Sequence, residues 1–372
     1  MKRILVIFGT RPEAIKLCPL VRQLRLRPDA FTVQVCVTAQ HREMLDHALE
    51  AFSIAPDYDL DLMQPRQALA ALTARILAAL DPVLEAQRPD LVVVQGDTTT
   101  TLAGALAAFY REIPVAHIEA GLRTGDMTQP FPEEMNRVLT SRLAAWHFAP
   151  TARAAEALLR EGTAPERIFV TGNTGIDAVL YVRDALDSGA LPPPDWPWLE
   201  PDKRLVLITS HRRENFGPGF ESVLRALARL ASREDVRIVY PVHRNPNVAG
   251  PAHAFLAGLP HVTLLDPLPY VPFVDLMRRC RLIITDSGGV QEEAPSLGKP
   301  VLVLRAKTER PEAVEAGTVK LVGVDEDLIV AEAARLLDDP AEYARMTRIH
   351  NPYGDGHACE RIARILAGQP AA

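Results

Sequence analysis

Residues 91–121 read LVVVQGDTTTTLAGALAAFYREIPVAHIEAG. The apolar run at 91–95 is short, valine-rich and continuous, so it reads as a strand buried on both faces. Helical period follows at 100–110, then a second apolar run at 115–119. Strand, helix and strand joined by short turns is the crossover unit of a parallel sheet.

Working outward, the same alternation continues on both sides. Apolar runs stand at 4–8, 32–38 and 146–149, with a helical stretch at 68–84. The pattern starts again with strand-like runs at 204–209, 237–241, 262–265, 282–285 and 301–304, separated by helical stretches such as 220–230 and 331–337. The expected fold class is α/β, with two Rossmann-like, doubly wound units in series facing a cleft. A chain of 372 residues also exceeds what one core usually serves. Residues 189–201 hold five prolines and read as a surface loop. A candidate hinge lies earlier, where a strand ends in VTGNTG at 170–175. The expected domains are therefore 1–172 and 173–358, with 359–372 forming a helix that packs back on the first.

The composition excludes several classes. Hydrophobic residues make up 48% and charged residues 24%, as in an ordinary folded domain. A formal net charge of -6 gives no general attraction for nucleic acid or an anionic membrane. Cys18, Cys36, Cys280 and Cys359 are scattered without a CxxC pair, which argues against a zinc site or a disulfide framework. The N-terminal apolar run is too short for a signal peptide, and no run is long enough to span a bilayer. The expected location is the cytoplasm.

Ligands of open α/β sheets bind beyond the carboxyl ends of the strands, so the polar residues there carry the functional reading. The first strand runs into Gly9-Thr10-Arg11-Pro12-Glu13. Thr10 and Glu13 have capping-box spacing, while Arg11 and Lys16 make the same helix start an anion site. Plain capping with solvated cations explains the segment equally well. The 91–95 strand ends in Gly96-Asp97, and the 115–119 strand ends in Glu119. Asp97 has a ready capping explanation; Glu119 has no helix directly after it to cap. Two carboxylates at adjacent strand ends can divide into acid and base. Glu133 and Glu134 open a helix, where the dipole favours them.

In the second half, Ser210-His211-Arg212-Arg213-Glu214 and Val242-His243-Arg244 follow strands. Two histidines in matching positions point to function more than either alone, and neither has metal-ligand spacing. No metal is expected. Asp286-Ser287-Gly288-Gly289 follows the 282–285 strand and opens a helix, a backbone suited to a diphosphate. Glu293 lies further along it, where it can accept from ribose hydroxyls. Residues 266–273 read as a rigid apolar loop that carries Phe273, a candidate base contact. Arg310 stands just past the 301–304 strand.

Six segments in this order resemble the non-hydrolysing UDP-N-acetylglucosamine 2-epimerases: GTRPEAIKLCPL, QGDTTTTLAGALAAFY, HIEAGLRTGDMTQPFPEEMNR, GNTGIDAVL, HRRENFG and DSGGVQEEAPSLGKPVLVLR. The resemblance implies a glycosyltransferase-B-like fold, a substrate of UDP-N-acetylglucosamine, release and recapture of UDP, no redox cofactor and a homodimer. It implies that Asp97, Glu119 and Glu133 are acid/base carboxylates and that His211 is a catalytic or phosphate-contacting histidine. Arg11 and Lys16 match the basic pair of its first loop, Ser287, Gly288, Gly289, Glu293 and Arg310 match its UDP clamp, and Phe273 sits near its expected uracil contact. Gln40, His41, Arg66 and His243 fall where some members bind substrate as an activator. Ala306 and Lys307 depart from the family, which commonly has Asp and Thr there.

Overall fold

The computed structural model describes residues 1–39, 42–62, 64, 67–308, 310–348 and 350–369. The chain divides into two compact units, Met1–Ala178 with Gly354–Ala372, and Val179–Tyr353.

The first unit holds one seven-stranded parallel sheet. Its strands are β1 (Lys2–Phe8), β2 (Phe31–Val37), β3 (Tyr58–Asp59), β4 (Leu91–Gln95), β5 (Val115–Ile118), β6 (Trp146–Ala149) and β7 (Ile168–Val170). They lie in the order β3-β2-β1-β4-β5-β6-β7. The second unit holds a six-stranded parallel sheet of β8 (Arg204–Thr209), β9 (Val236–Pro241), β10 (Val262–Leu265), β11 (Leu282–Thr285), β12 (Val301–Val303) and β13 (Val319–Leu321). Their order is β10-β9-β8-β11-β12-β13. Each sheet therefore reverses its winding once, between β1 and β4 and between β8 and β11. Such switch points are where doubly wound sheets bind ligands.

Ten apolar runs of the sequence mark ten of these strands and the VTGNTG segment marks the end of β7; β3 and β13 are additional. These two are two and three residues long, and most of their residues are not fully buried. They therefore lack the apolar run that marks the central strands. The expected loop at 266–273 is also shorter. A helix begins at Tyr270 (Tyr270–Arg279), so Phe273 is helical. Pro272 fits in that first turn because the missing N–H has no intrahelical acceptor there.

Each sheet is buried by helices on apolar side chains. In the first unit, Leu5, Ile7, Val92 and Val94 pack with Leu72, Ile76 and Leu80 of the Leu69–Gln87 helix and with Ala103 and Ala107 of the Thr99–Tyr110 helix. In the second, Val206, Ile208, Ile238 and Ile284 pack with Phe220, Leu224 and Leu227 of Pro218–Ala231 and with Ile329 and Leu336 of Glu326–Asp338. Each Val, Leu, Ile or Phe among them contributes about 1.5–3 kcal/mol on full burial, which holds the strand ends in place. The chain's last helix, Ala358–Leu366, returns to the first unit and packs on the helix Arg11–Arg25. No described helix is long and apolar enough to cross a membrane.

Candidate active site

Within the first unit the polar groups gather where β1, β4 and β5 end. Gly9 follows β1 so closely against its neighbours that a Cβ there would lie 2.0 Å from Thr38 Oγ1 and 2.6 Å from Thr100 Oγ1. Only glycine allows this approach. The turn then enters the Arg11–Arg25 helix, and Glu13 reaches back over it. Glu13 Oε2 accepts from the N–H groups of Gly9 at 3.0 Å and Thr10 at 2.7 Å. Its Oε1 accepts from the hydroxyls of Thr98 at 2.6 Å and Thr101 at 3.1 Å. Burial pushes the Glu13 carboxyl above its usual range, and these hydrogen bonds oppose the rise. One buried carboxylate thus ties the turn after β1 to the turn after β4.

Glu119 follows β5 at φ +62°, in the left-handed region. A residue with a Cβ is strained there by about 1–2 kcal/mol, a cost that recurs at functional positions. Lys16 Nζ donates to Glu119 Oε1 at 2.5 Å, and the amide of Gln95, the last residue of β4, donates to Oε2. Asp97 projects from the left-handed turn at Gly96, φ +73°. Asn136 Nδ2 donates to the Asp97 carbonyl at 2.9 Å, and the Arg137 guanidinium lies 3.3 Å from the Asp97 carboxylate. Arg137 also pairs with Glu134 at 3.3 Å. Glu134 in turn accepts from the N–H groups of Thr124 and Gly125 at 3.0 and 3.1 Å. The helix Glu133–Leu143 therefore fixes both the Asp97 turn and the start of the following loop.

Asp97 and Glu119 each have a cation beside them, but different ones, and Asp97 keeps more exposure. Carboxylates in unequal surroundings can take different halves of an acid/base task. Glu133 is half-buried at its helix start, while the adjacent Glu134 is the buried one. Gln95, Asn136 and Arg137 carry no role legible in the sequence. Their positions beside Gly96 and Glu134 are the only local signal, and the partners lie up to 40 residues away.

The second unit gathers its own cluster after β8, β9 and β11. The His211 ring stacks on His243, with centroids 5.4 Å apart and planes at 16°. His211 Nδ1 lies 3.5 Å from Asp286 Oδ1. Burial lowers the His211 pKa from its ordinary value, Asp286 opposes this, and His243 and Arg212 lower it further. The exposed His243 accepts from Asn245 N–H at 3.1 Å through Nδ1.

Ser287 precedes the short helix Gly288–Glu293 and donates its N–H to Thr285 Oγ1 at 2.9 Å. Arg310 lies directly on Gly288, where an added Cβ would meet Cζ at 2.9 Å. Its Nε donates to Glu292 Oε1 at 2.9 Å, and its N–H donates to Thr308 Oγ1 at 3.1 Å. Glu293 is buried and accepts from the Tyr270 hydroxyl at 3.4 Å. Phe273 is half-buried on the same helix as Tyr270. The second cluster thus sets the Arg310 side chain against the contiguous turn Ser287-Gly288-Gly289. Gln40, His41 and Arg66 lie outside the described residues. Among the described residues, no group of three or more His, Cys, Asp or Glu side chains has metal-holding geometry.

Known proteins are similar to this chain over nearly its whole length. A family model for UDP-N-acetylglucosamine 2-epimerase matches residues 23–367. The UDP-N-acetylglucosamine 2-epimerase of Escherichia coli K12 is 58% identical over 369 residues, covering 98% of each chain. The solved structure of UDP-GlcNAc 2-epimerase from Neisseria meningitidis bound to UDP-GlcNAc is 47% identical with a TM-score of 0.91, and covers 99% of this chain and 100% of that one. The Methanocaldococcus jannaschii UDP-GlcNAc 2-epimerase, solved with UDP-GlcNAc and UDP, is 35% identical with a TM-score of 0.78, and covers 98% of this chain and 99% of that one. A match that spans both sheets and both clusters, at this identity, means that the chain belongs to the UDP-N-acetylglucosamine 2-epimerase family.

Proposed function

We propose that this chain interconverts UDP-N-acetylglucosamine and UDP-N-acetylmannosamine by eliminating UDP and adding it back. The reading is carried by Asp97 and Glu119, which end adjacent strands and are held on separate cations, Arg137 and Lys16.

The C2 hydrogen of the sugar is not acidic by itself. As the C1–O bond to the diphosphate breaks, positive charge grows at C1 and the C2 proton becomes removable. Loss of both yields an N-acetylated glycal and UDP. Re-addition of UDP at C1, with protonation of C2 on the opposite face, gives the epimer, so atoms and charge balance over the cycle. The chemistry needs a base on one face, an acid on the other and a firm hold on UDP. Asp97, Glu119 and Glu133 take the proton transfers. Arg11, Lys16, His211 and Arg310 stabilise the charge that develops on the leaving diphosphate. Ser287, Gly288 and Gly289 offer backbone N–H groups to it, Glu293 takes the ribose hydroxyls, and Phe273 packs on the base. In this reading the first unit does the acid/base work and the second holds UDP.

Proton NMR of UDP-N-acetylglucosamine incubated with the protein in heavy water is the direct test. Deuterium at C2 together with a UDP-N-acetylmannosamine signal is expected. Retention of the C2 hydrogen during turnover removes the mechanism, and release of free N-acetylmannosamine would indicate a hydrolysing enzyme instead. We also propose that the protein works in the cytoplasm, where its four buried free cysteines stay reduced, and that it acts as a homodimer. A single-chain species in sedimentation of the intact protein contradicts the second point.

A further inference from the structure

Asp286 follows β11 at the switch point of the second sheet and has no exposed surface. One of its oxygens is crowded with donors. Oδ2 receives the Ser210 hydroxyl at 2.9 Å, the N–H groups of His211 and Arg212 at 2.8 Å each, and Asn215 Nδ2 at 3.5 Å. The other oxygen, Oδ1, is buried and has no hydrogen bond among the described residues. It faces His211 Nδ1 at 3.5 Å. A buried acceptor without a donor is costly, and the nearest group able to serve it is that ring nitrogen.

The ring has little freedom to answer otherwise. Its backbone N–H is tied to the same carboxylate, and one face stacks on His243. The charged or titratable groups around it are Asp286, His243 and Arg212. Tyr240 steadies the backbone from below, donating its hydroxyl to the Ser210 carbonyl at 2.7 Å. If the neutral ring carried its proton on Nε2, the Nδ1 lone pair would point at an oxygen lone pair inside the protein. With the proton on Nδ1, that clash becomes an attraction.

We infer that Asp286 is a positioning residue for His211: its Oδ1 holds the Nδ1 proton, so the ring presents a bare Nε2 to the ligand. The inference rests on the proposed role of His211 in the epimerase reaction. Nε2 is then the atom that takes up a proton there, and the Asp286 carboxylate stabilises the charged ring that faces the leaving diphosphate.

The variant Asp286→Asn gives a forced result. Backbone N–H groups can only donate, so the amide oxygen must take the Oδ2 position. The NH2 group then faces His211 Nδ1 as a donor, and the ring must move its proton to Nε2. Long-range proton–nitrogen NMR of the full chain labelled with nitrogen-15 histidine reads this directly, with His211→Gln to assign the signal. In the unmutated protein, Nδ1 should be protonated and Nε2 bare; in Asp286→Asn the two should exchange. Turnover of Asp286→Asn should fall about 100- to 10,000-fold in kcat with little change in KM. A protonated Nε2 in the unmutated protein overturns the inference, and needs no variant to fold. An unchanged tautomer in Asp286→Asn overturns it as well, however far turnover falls. The expected tautomers in a protein without epimerase activity would leave the inference standing and remove the functional reading, whereas turnover with the opposite tautomer would do the reverse.

Discussion

His117 lies inside β5 with no exposed surface, two residues before Glu119. Its Nε2 stands 2.7 Å from the Gly96 carbonyl, so Nε2 is the donor in this contact. The bond steadies the left-handed turn that projects Asp97. Burial drives the His117 pKa down to about 3; the Gly96 bond opposes this, and His147, Arg123 and Arg137 add to the fall. His147, its register partner on β6, is lowered to about 4, chiefly by burial. The folded protein therefore binds fewer protons than the unfolded chain below the ordinary histidine value of 6.5. The stabilisation from keeping these rings neutral is complete above that pH and is lost as pH falls toward the folded values. One pH unit below 6.5, His117 alone removes about 1.4 kcal/mol of stability. Urea unfolding at pH 7.5 and 5.5 should show the fall, and His117→Gln should reduce its average slope over that range by about half a proton. An unchanged slope would mean that His117 is already charged in the folded state. Asp97 and Glu119 were legible in the sequence because they end apolar runs. His117 was not, because its acceptor lies in the turn after the neighbouring strand and no local pattern announces it.

At the scale of elements, the returning helix Ala358–Leu366 shows the same division. Its apolar face, Ala358, Cys359, Ile362, Ala363 and Leu366, is evident from period alone and is buried in the structure. Its cap is not evident. Asp177, 181 residues before Ala358, accepts from the N–H groups of Ala358 at 3.2 Å and Cys359 at 2.8 Å. Burial pushes the Asp177 carboxyl up, and the two N–H bonds hold it back. The pair of donors sits where a helix has no carbonyl partner of its own, so a side chain must supply one. Asp177→Ala should cost about 1–2 kcal/mol, the loss expected for a helix cap left with unsatisfied donors. It should also speed amide exchange in 358–366 more than in the sheet. A variant that melts with the parent's midpoint and exchange pattern would show that water replaces the carboxylate without loss. The unread strands belong to this scale too. β3 and β13 are edge strands of two and three residues, defined by the strand they pair with and not by their own composition.

Over the whole molecule, two sheets with the same winding present different chemistry at their switch points. The first offers carboxylates held on cations; the second offers a glycine-rich turn under Arg310, with His211 beside it. This division is legible in the sequence because strand ends are marked by where apolar runs stop. The support beneath is not, because it comes from partners such as Arg137 and Glu134 or Arg310 and Glu292. The division makes a prediction that separates holding UDP from reacting with it. Arg310→Lys keeps a charge for Glu292 but loses the planar fork, so it should weaken UDP binding about tenfold, the value of one charge-assisted hydrogen bond. Asp97→Asn should bind UDP as the parent does and lose about 100- to 10,000-fold in turnover at saturating sugar nucleotide. Calorimetric titration with UDP and the NMR assay measure the two quantities independently. If Asp97→Asn weakens UDP as much as Arg310→Lys does, Asp97 serves the nucleotide and not the sugar. The acid/base assignment would then pass to Glu119 and Glu133.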